Sequence, residues 1–588
     1  MVLTMKRIAE LIRRNLPISL VFIGCILSAG IFILMPLSAV LLEALTTEEG
    51  TLTFQKFVNF FKDPWPMECT YISVKVAIID VLGTSLIGIP LAWILTKTNV
   101  PHRRFLRILV LIPLVMPPLT GALGFIYIFG RRGMINVVFQ QLFHFKRISF
   151  DIYRSIQLPL IGEIPWGICF IHVFHLYPLI YLSTSAALYS IDPRLEESGR
   201  VLGESPFKVF RTITLPLMLP GYFTGAILVF LRAFSDIGVP ILLGYQKYLS
   251  VDIYTKVTSY YDISTGIVEC AIMVVGSIMV LMASMKFLSK MTTELIPTRA
   301  RSTRVGFLTP IRKLVAMTFC SLIICVGSMS TVGIALMAVE KNRSTTVLFT
   351  QFSIENFAKV LSELRSVSVV ENPVYLSLLY SSIATIISLL FGLAITYILL
   401  RTRLPGRAIL DIISKVPLVL PGIVFATAYI RFFKFTLPGS NVIVYHDILR
   451  TPLGLLCMVP IALAFHRLPY LVGPLYGSFA SLGSKLEDAS RTLGVGKCRT
   501  FFKIVFPLVS PGILAGAVQT FVFCILNLSI YLVLTPPGLY PLTSRIFNVF
   551  LYGSFGIAAT YSLILIAITF ISLAFMTIIL QKESSLYS

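Results

Sequence analysis

Leu195–Gly221 reads LEESGRVLGESPFKVFRTITLPLMLPG, and Leu486–Gly512 reads LEDASRTLGVGKCRTFFKIVFPLVSPG. Aligned without a gap at an offset of 291, the two stretches share Glu196/Glu487, Arg200/Arg491, Leu202/Leu493, Gly203/Gly494, Phe210/Phe501, Ile213/Ile504, Pro216/Pro507, Pro220/Pro511 and Gly221/Gly512. Upstream, Ile112–Pro117 (IPLVMP) matches Val416–Pro421 (VPLVLP) at an offset of 304, and Pro101 pairs with Pro405 at the same offset. Ordered matches of this kind mark an internal duplication. The chain is read as two homologous halves.

The material around the repeat is apolar. Of 588 residues, 56% are hydrophobic and only 13% charged, with a mean hydropathy of +0.87. Soluble chains carry about 25% charged residues, so the surplus apolar surface must face lipid. A helix needs about 20 mostly apolar residues to cross the hydrocarbon. Candidate spans fall near 18–42, 71–95, 106–129, 164–188, 216–243 and 264–288 in the first half. In the second they fall near 315–338, 375–399, 409–431, 453–479, 508–534 and 555–580. The runs are continuous rather than alternating, which favours helices over a barrel. The expected architecture is therefore an all-α integral membrane protein of about twelve transmembrane helices in two homologous six-helix lobes. Lobe one is placed at 1–290, a basic linker at 291–313, and lobe two at 314–588. An even number of spans leaves both lobes facing the same way, related by an axis along the membrane normal.

Lys+Arg number 49 against 27 Asp+Glu, a net charge of +22. The basic residues sit in short loops between apolar runs and read as orientation signals, which excludes nucleic acid as the partner. Loops at 97–107, 194–211, 401–407 and 485–503, with the 286–313 segment, are assigned to the cytoplasm, as are both termini. The acid-rich stretch with Glu43, Glu48, Glu49, Asp63 and Glu68 is assigned outside. Arg131, Arg132, Lys146, Arg147 and Arg154 run against this rule, on the expected outer side. The N-terminal run from Ile18 to Leu42 is too long for a cleaved signal and reads as a first span. Nine scattered cysteines and six histidines make no metal-ligand spacing.

Each repeated segment reads as a short helix, a glycine break, a second amphipathic piece, and a proline opening the next span. Gly203 and Gly494 permit a sharp turn that other residues resist. Pro216 and Pro507 suit the first turn of the following helix. An ordinary connector has no need to retain Glu196/Glu487 and Arg200/Arg491 in two copies, so a docking role is favoured.

Here the chain resembles the inner-membrane permeases of binding-protein-dependent ABC importers with the type I fold. Their signature is Glu-Ala-Ala, three residues, Gly, then about nine residues to Ile-x-Leu-Pro. The first copy reads Glu197-Ser198-Gly199, Gly203, Ile213, Leu215, Pro216; the second reads Asp488-Ala489-Ser490, Gly494, Ile504, Phe506, Pro507. It departs in the missing first-copy alanines, Asp488 for Glu, and Phe506 for Leu. The resemblance implies that Glu196, Glu197, Arg200, Gly203 and Pro216, with Glu487, Asp488, Arg491, Gly494 and Pro507, form two coupling helices. Each would dock on one of two copies of an ATPase subunit, the acidic residue meeting a basic partner. It also implies a periplasmic or surface-tethered solute-binding protein and residence in a bacterial inner membrane. No enzymatic activity is expected of the chain itself. A phosphate-cradling loop needs GxxxxGK[ST], and the nearest approach, LGVGKC, has Arg491 and Cys498 at two required positions. ATP and Mg would be bound by the partner, with no cofactor here.

Ionisable groups at membrane depth cost about 2.5–3.5 kcal/mol on insertion scales and usually face an interior path. Asp236, in FSDIGVP, pairs with Asn527 at the 291 offset. The pair is either cavity-lining or an inter-helix hydrogen bond. His175 pairs with His466, each three residues before a proline, and a bond to backbone freed by the kink is the preferred reading over a place on the path. His172 and Glu269 lack ionisable equivalents at that offset. FSDIGVP also resembles a stretch of ferric-iron permeases, which implies iron(III) as cargo; related fused permeases carry aminoethylphosphonate or thiamine. The competing class is an ion-gradient-driven secondary transporter, opposed by the repeated segment and by the lack of a paired carboxylate relay.

Overall fold

The computed structural model describes residues 16–586, apart from 48, 132, 143–150, 159–161, 260–261, 293–305, 341–351, 435–451, 484 and 537. Among these, eleven helices are long and apolar enough to cross a membrane, and one bent pair makes a twelfth. In the first half they are α1 (Ile18–Ala44), α2 (Pro64–Lys97), α3 (Pro118–Phe129), α4 (Trp166–Ser190), α5 (Pro206–Phe234) and α6 (Ile263–Thr292). In the second they are α7 (Pro310–Val339), α8 (Pro373–Arg401), α9 (Arg407–Leu418 with Gly422–Phe432), α10 (Pro452–Leu482), α11 (Phe501–Ile525) and α12 (Phe555–Ile579). A two-stranded hairpin, Ile156–Leu158 with Gly162–Ile164, sits in the connection before α4.

Four expected spans differ in form. The run at 106–129 is not one helix. Short helices Arg103–Leu109 and Ile112–Val115 precede an extended Met116, and α3 restarts at Pro118. In lobe two, α9 bends by 112° at the equivalent place. The cause is Pro117 and Pro421: a proline pushes the residue before it out of the helical region. Both runs begin at a left-handed residue, His102 (φ 53°) in one lobe and Gly406 (φ 87°) in the other.

The third difference concerns α5 and α11. Pro216 and Pro507 were expected to open their spans, yet each lies inside a helix already running from the preceding loop. The turns Phe210–Thr214 and Phe501–Val505 are π-helical, so Leu215 N–H donates to Phe210 O and Phe506 N–H to Phe501 O. A proline ring clashes with the carbonyl four residues back, and widening the turn by one residue relieves it. At the far end, α5 stops at Phe234 because Asp236 Oδ2 accepts from Val239 N at 2.8 Å, starting the short helix Gly238–Leu242. Asn527 does the same beyond α11, its Oδ1 accepting from Ile530 N at 3.0 Å.

Packing relies on repeated glycines. A Cβ on Gly221 would lie 2.5 Å from Ala187 Cβ of α4, and one on Gly225 3.0 Å from Leu179 O. In lobe two a Cβ on Gly512 would overlap Ser478 of α10, and one on Gly516 would lie 2.9 Å from Leu471 Cδ1. This small-xxx-small spacing lets backbones approach where no hydrophobic force drives helices together.

The first helix of each half leans on the other half. α7 crosses α3 so closely that a Cβ on Gly124 would overlap Ser330 O, and one on Gly333 would overlap Gly124 O. α1 packs on α9, where Arg431 Nε donates to Glu43 Oε2 at 2.7 Å and Tyr429 donates to Phe32 O at 2.8 Å. One buried apolar core runs through both halves.

Candidate functional site

The repeated segments form two matching elbows. In the first, helix Pro193–Val201 is capped by Asp192, whose carboxylate accepts from Arg194 N. It ends in a left-handed turn: Gly203 (φ +83°) donates to Arg200 O at 3.0 Å and Glu204 donates to Gly199 O at 3.1 Å. That pair of bonds satisfies the carbonyls a helix end leaves open. In the second elbow, Gly494 has φ +76° and Val495 donates to Ser490 O at 3.1 Å. A Cβ on either glycine would meet nothing within 4 Å. The backbone alone demands glycine here, and the space in front of it is open.

The acidic residues divide between two jobs. Lys97 Nζ donates to Glu196 Oε1 at 2.9 Å, and Thr214 Oγ1 donates to the same oxygen at 2.9 Å. In lobe two, Arg401 Nε donates to Glu487 Oε1 at 2.5 Å. Lys97 and Arg401 end α2 and α8 at equivalent positions. Glu196 and Glu487 thus meet basic partners within the chain, tying each elbow to its own lobe. Glu197 is half-buried and Asp488 exposed, while Arg200 is exposed; the side chain of Arg491 lies outside the described residues. Around them the elbows turn apolar groups outward. Leu202 and its counterpart Leu493 are each 82% exposed, and Val201, Phe207 and Phe502 are exposed too. The last linker residues reach the first elbow, where Gly306 N–H donates to Lys97 O at 2.8 Å.

The second site lies between the lobes. A cavity of about 170 Å³ is lined by the ends of α5 and α11, by α4 and α10, and by the breaks that precede α3 and interrupt α9. Asp236, Asn527, His175 and His466 all line it. His466 Nε2 donates to Leu420 O at 3.1 Å. That carbonyl lies at the break of α9 beside Pro421, not at the kink of the helix that carries His466. Asp236 and Asn527 cap the short helices beyond α5 and α11 while facing the cavity, and Asp236 also makes an inter-helix bond, its Oδ2 lying 3.3 Å from His172 Nε2 of α4.

Sequence reasoning passed over three groups here. His172, set aside for want of an equivalent, bridges two carboxylates: Nδ1 is 2.6 Å from Asp80 Oδ2 and Nε2 is 3.3 Å from Asp236 Oδ2. Lobe two has Ala384 and Leu463 in place of Asp80 and His172. The others are Arg232 and Arg467. The Arg232 guanidinium lies 5.4 Å from the Phe523 ring, and that of Arg467 5.8 Å from the same ring and 5.6 Å from Tyr470. Both interact with the Tyr470 hydroxyl. An arginine inside an apolar span is among the costliest residues a sequence can place there, and that alone could have singled them out. Glu269 stands apart, bonded to Lys256 Nζ at 2.5 Å.

Two duplicated six-helix halves, paired elbows on one side and a polar seam between the lobes define a membrane permease subunit. The chain belongs to the family described as binding-protein-dependent transport system inner membrane component, whose model matches residues 85–293 and again 384–584. It is 24% identical to a ferric transport system permease protein, FbpB, of Actinobacillus pleuropneumoniae over 81% of this chain and 66% of that relative. It is 24% identical to a probable ABC transporter permease, y4fN, of Sinorhizobium fredii over 82% of this chain and 81% of the relative. A molybdenum transport system permease, ModB, of Escherichia coli K12 is 31% identical over 30% of this chain and 70% of its own length. The ferric relative is therefore longer than the region matched, whereas the molybdenum relative corresponds to part of this chain.

Proposed function

We propose that this chain is the permease of an ATP-driven importer, docking two copies of an ATPase through its elbows and receiving solute from a binding protein. ATP and Mg belong to the partner in this reading. The observation that carries it is the pair of elbows, each braced by a buried ion pair and each offering exposed apolar side chains beside a left-handed glycine. An exposed patch of this kind on a protein already folded marks an interaction surface.

The π-turn supplies the linkage. Because α5 is one helix from Pro206 to Phe234, 29 residues, it spans about 43 Å at 1.5 Å per residue. A push on the first elbow therefore reaches Arg232, near the end of that helix, without a flexible joint. α11 connects the second elbow to Phe523 in the same way. When the two ATPases close, the elbows approach and the lobes rock about the cavity. Both termini and both elbows face the cytoplasm in this scheme, and residues 1–290 and 314–588 act as the two lobes.

Iron(III) is the proposed cargo, supported by FSDIGVP and by the names of the ferric relatives. An oxyanion is the second reading, favoured by the two cavity arginines and by the molybdenum relatives. The test is ATP-dependent uptake of labelled iron(III) and of labelled molybdate in cells with and without the gene. Loss of iron uptake on deletion supports the first cargo, and loss of molybdate uptake supports the second. Failure of any ATPase to copurify, with uptake driven by an ion gradient, sinks the class itself.

A further inference from the structure

We propose that the inter-lobe cavity is an anion site, in which Arg232 and Arg467 grip an oxygen-bearing anion during its passage. The inference rests on the transport reading above and adds to it the chemical class of what passes.

Two arginines at membrane depth demand compensation, commonly from a carboxylate. Among the described residues neither pairs with one. They lie instead against Phe523 and share the Tyr470 hydroxyl. Arg467 Nε is buried without a hydrogen-bond partner, and so is the Asn527 amide Nδ2. Unsatisfied buried donors cost stability unless something arrives to accept from them. Both residues line the cavity.

The repeat supplies an independent argument. Position 232 is matched by Phe523 in lobe two, and position 467 by Leu176 in lobe one. The fold therefore does without arginine at both equivalents, so the architecture of a lobe does not require it. Positive charge instead reaches one place from two non-equivalent positions, one in each lobe. Among the described residues the cavity has one lining carboxylate, Asp236, with Oδ2 engaged by His172 Nε2 at 3.3 Å and Val239 N at 2.8 Å. A bare cation entering would meet two guanidinium groups and one carboxylate already held.

The volume, about 170 Å³, is that of several waters at ~30 Å³ each. It suits a small anion with little hydration. Planar guanidinium forks match the oxygens of carboxylate, phosphate and similar groups better than any other side chain. The anion can be an oxyanion travelling alone or the oxygen ligands of iron(III) travelling as a complex; the chemistry presented to the arginines is the same.

The experiment titrates the full-length chain in nanodiscs by calorimetry with inorganic phosphate, sulfate, molybdate and ferric citrate in turn. Saturable binding of at least one probe is expected, weakened about tenfold or more in Arg232→Gln and in Arg467→Gln. Arg467→Lys, which keeps the charge, should retain binding to within a few-fold. Binding of molybdate, sulfate or phosphate alone assigns the free oxyanion; binding of ferric citrate alone assigns the complex. No binding of any probe to the unaltered chain, or binding untouched in both glutamine variants, overturns the proposal. ATP-driven uptake by the assembled transporter is read separately. Intact uptake without anion binding leaves the transport reading standing and removes only this one.

Discussion

Arg232 and Phe523 occupy equivalent positions in the two lobes, and their side chains touch, cation over ring, at 5.4 Å. Residues related by the repeat can meet only where its two-fold axis passes. The cavity therefore lies on that axis, between the two lobes.

The ion pair Arg401–Glu487 is buried, with side-chain exposures of 9% and 6%. Arg401→Met alone strands the carboxylate and should cost about 3 kcal/mol, while Arg401→Met with Glu487→Leu should recover at least half. Thermal unfolding of the four chains of this double-mutant cycle decides it. Additive losses would show that the pair does not act as a unit.

Glycines of two kinds should fail differently. Gly203→Ala and Gly494→Ala place a methyl in open space and strain only the turn, by about 1–2 kcal/mol. Such chains should insert and unfold near the normal temperature yet lose ATP-coupled uptake. Gly221→Leu drives a side chain into Ala187 and should instead abolish accumulation in the membrane. Normal coupled uptake by both elbow variants contradicts the docking role.

The chain Asp80–His172–Asp236 exists in lobe one alone, and lobe two shows the apolar alternative. His172→Leu by itself leaves Asp80 buried without its partner and should destabilise by about 3–5 kcal/mol. Adding Asp80→Ala, which copies Ala384 and Leu463, should restore most of the melting temperature. A double variant no more stable than the single would mean that His172 acts through something other than Asp80.

His102 is left-handed where lobe two has Gly406. His102→Gly should raise stability by up to about 1 kcal/mol, because the strain removed exceeds the entropy added. A fall in melting temperature would show that the imidazole is held by contacts worth more than the strain.

Much of this molecule is visible in its residues. The duplication, the helical membrane class and the elbow grammar follow from ordered identities and from continuous apolar runs. The breaks before Pro118 and at Pro421 do not, since mean hydropathy is blind to a change of direction within an apolar run. The π-turns were missed because Pro216 reads equally well as a helix start, and only the backbone shows that a helix already runs through it. Pairing positions by the repeat found Asp236 and Asn527. The same habit discarded His172 and overlooked Arg232 and Arg467, whose meaning lies in having no equivalent. The leaning of α1 and α7 on opposite halves leaves no local trace, because it depends on contacts hundreds of residues apart.

The crossing at Gly124 and Gly333 sets main chain against main chain with no side chain to yield between them. The seam between the lobes is thus closed backbone to backbone at one flank and lined by polar groups at its middle. Cutting the chain at the linker should then release neither half, for each wears the other's first helix as a clasp.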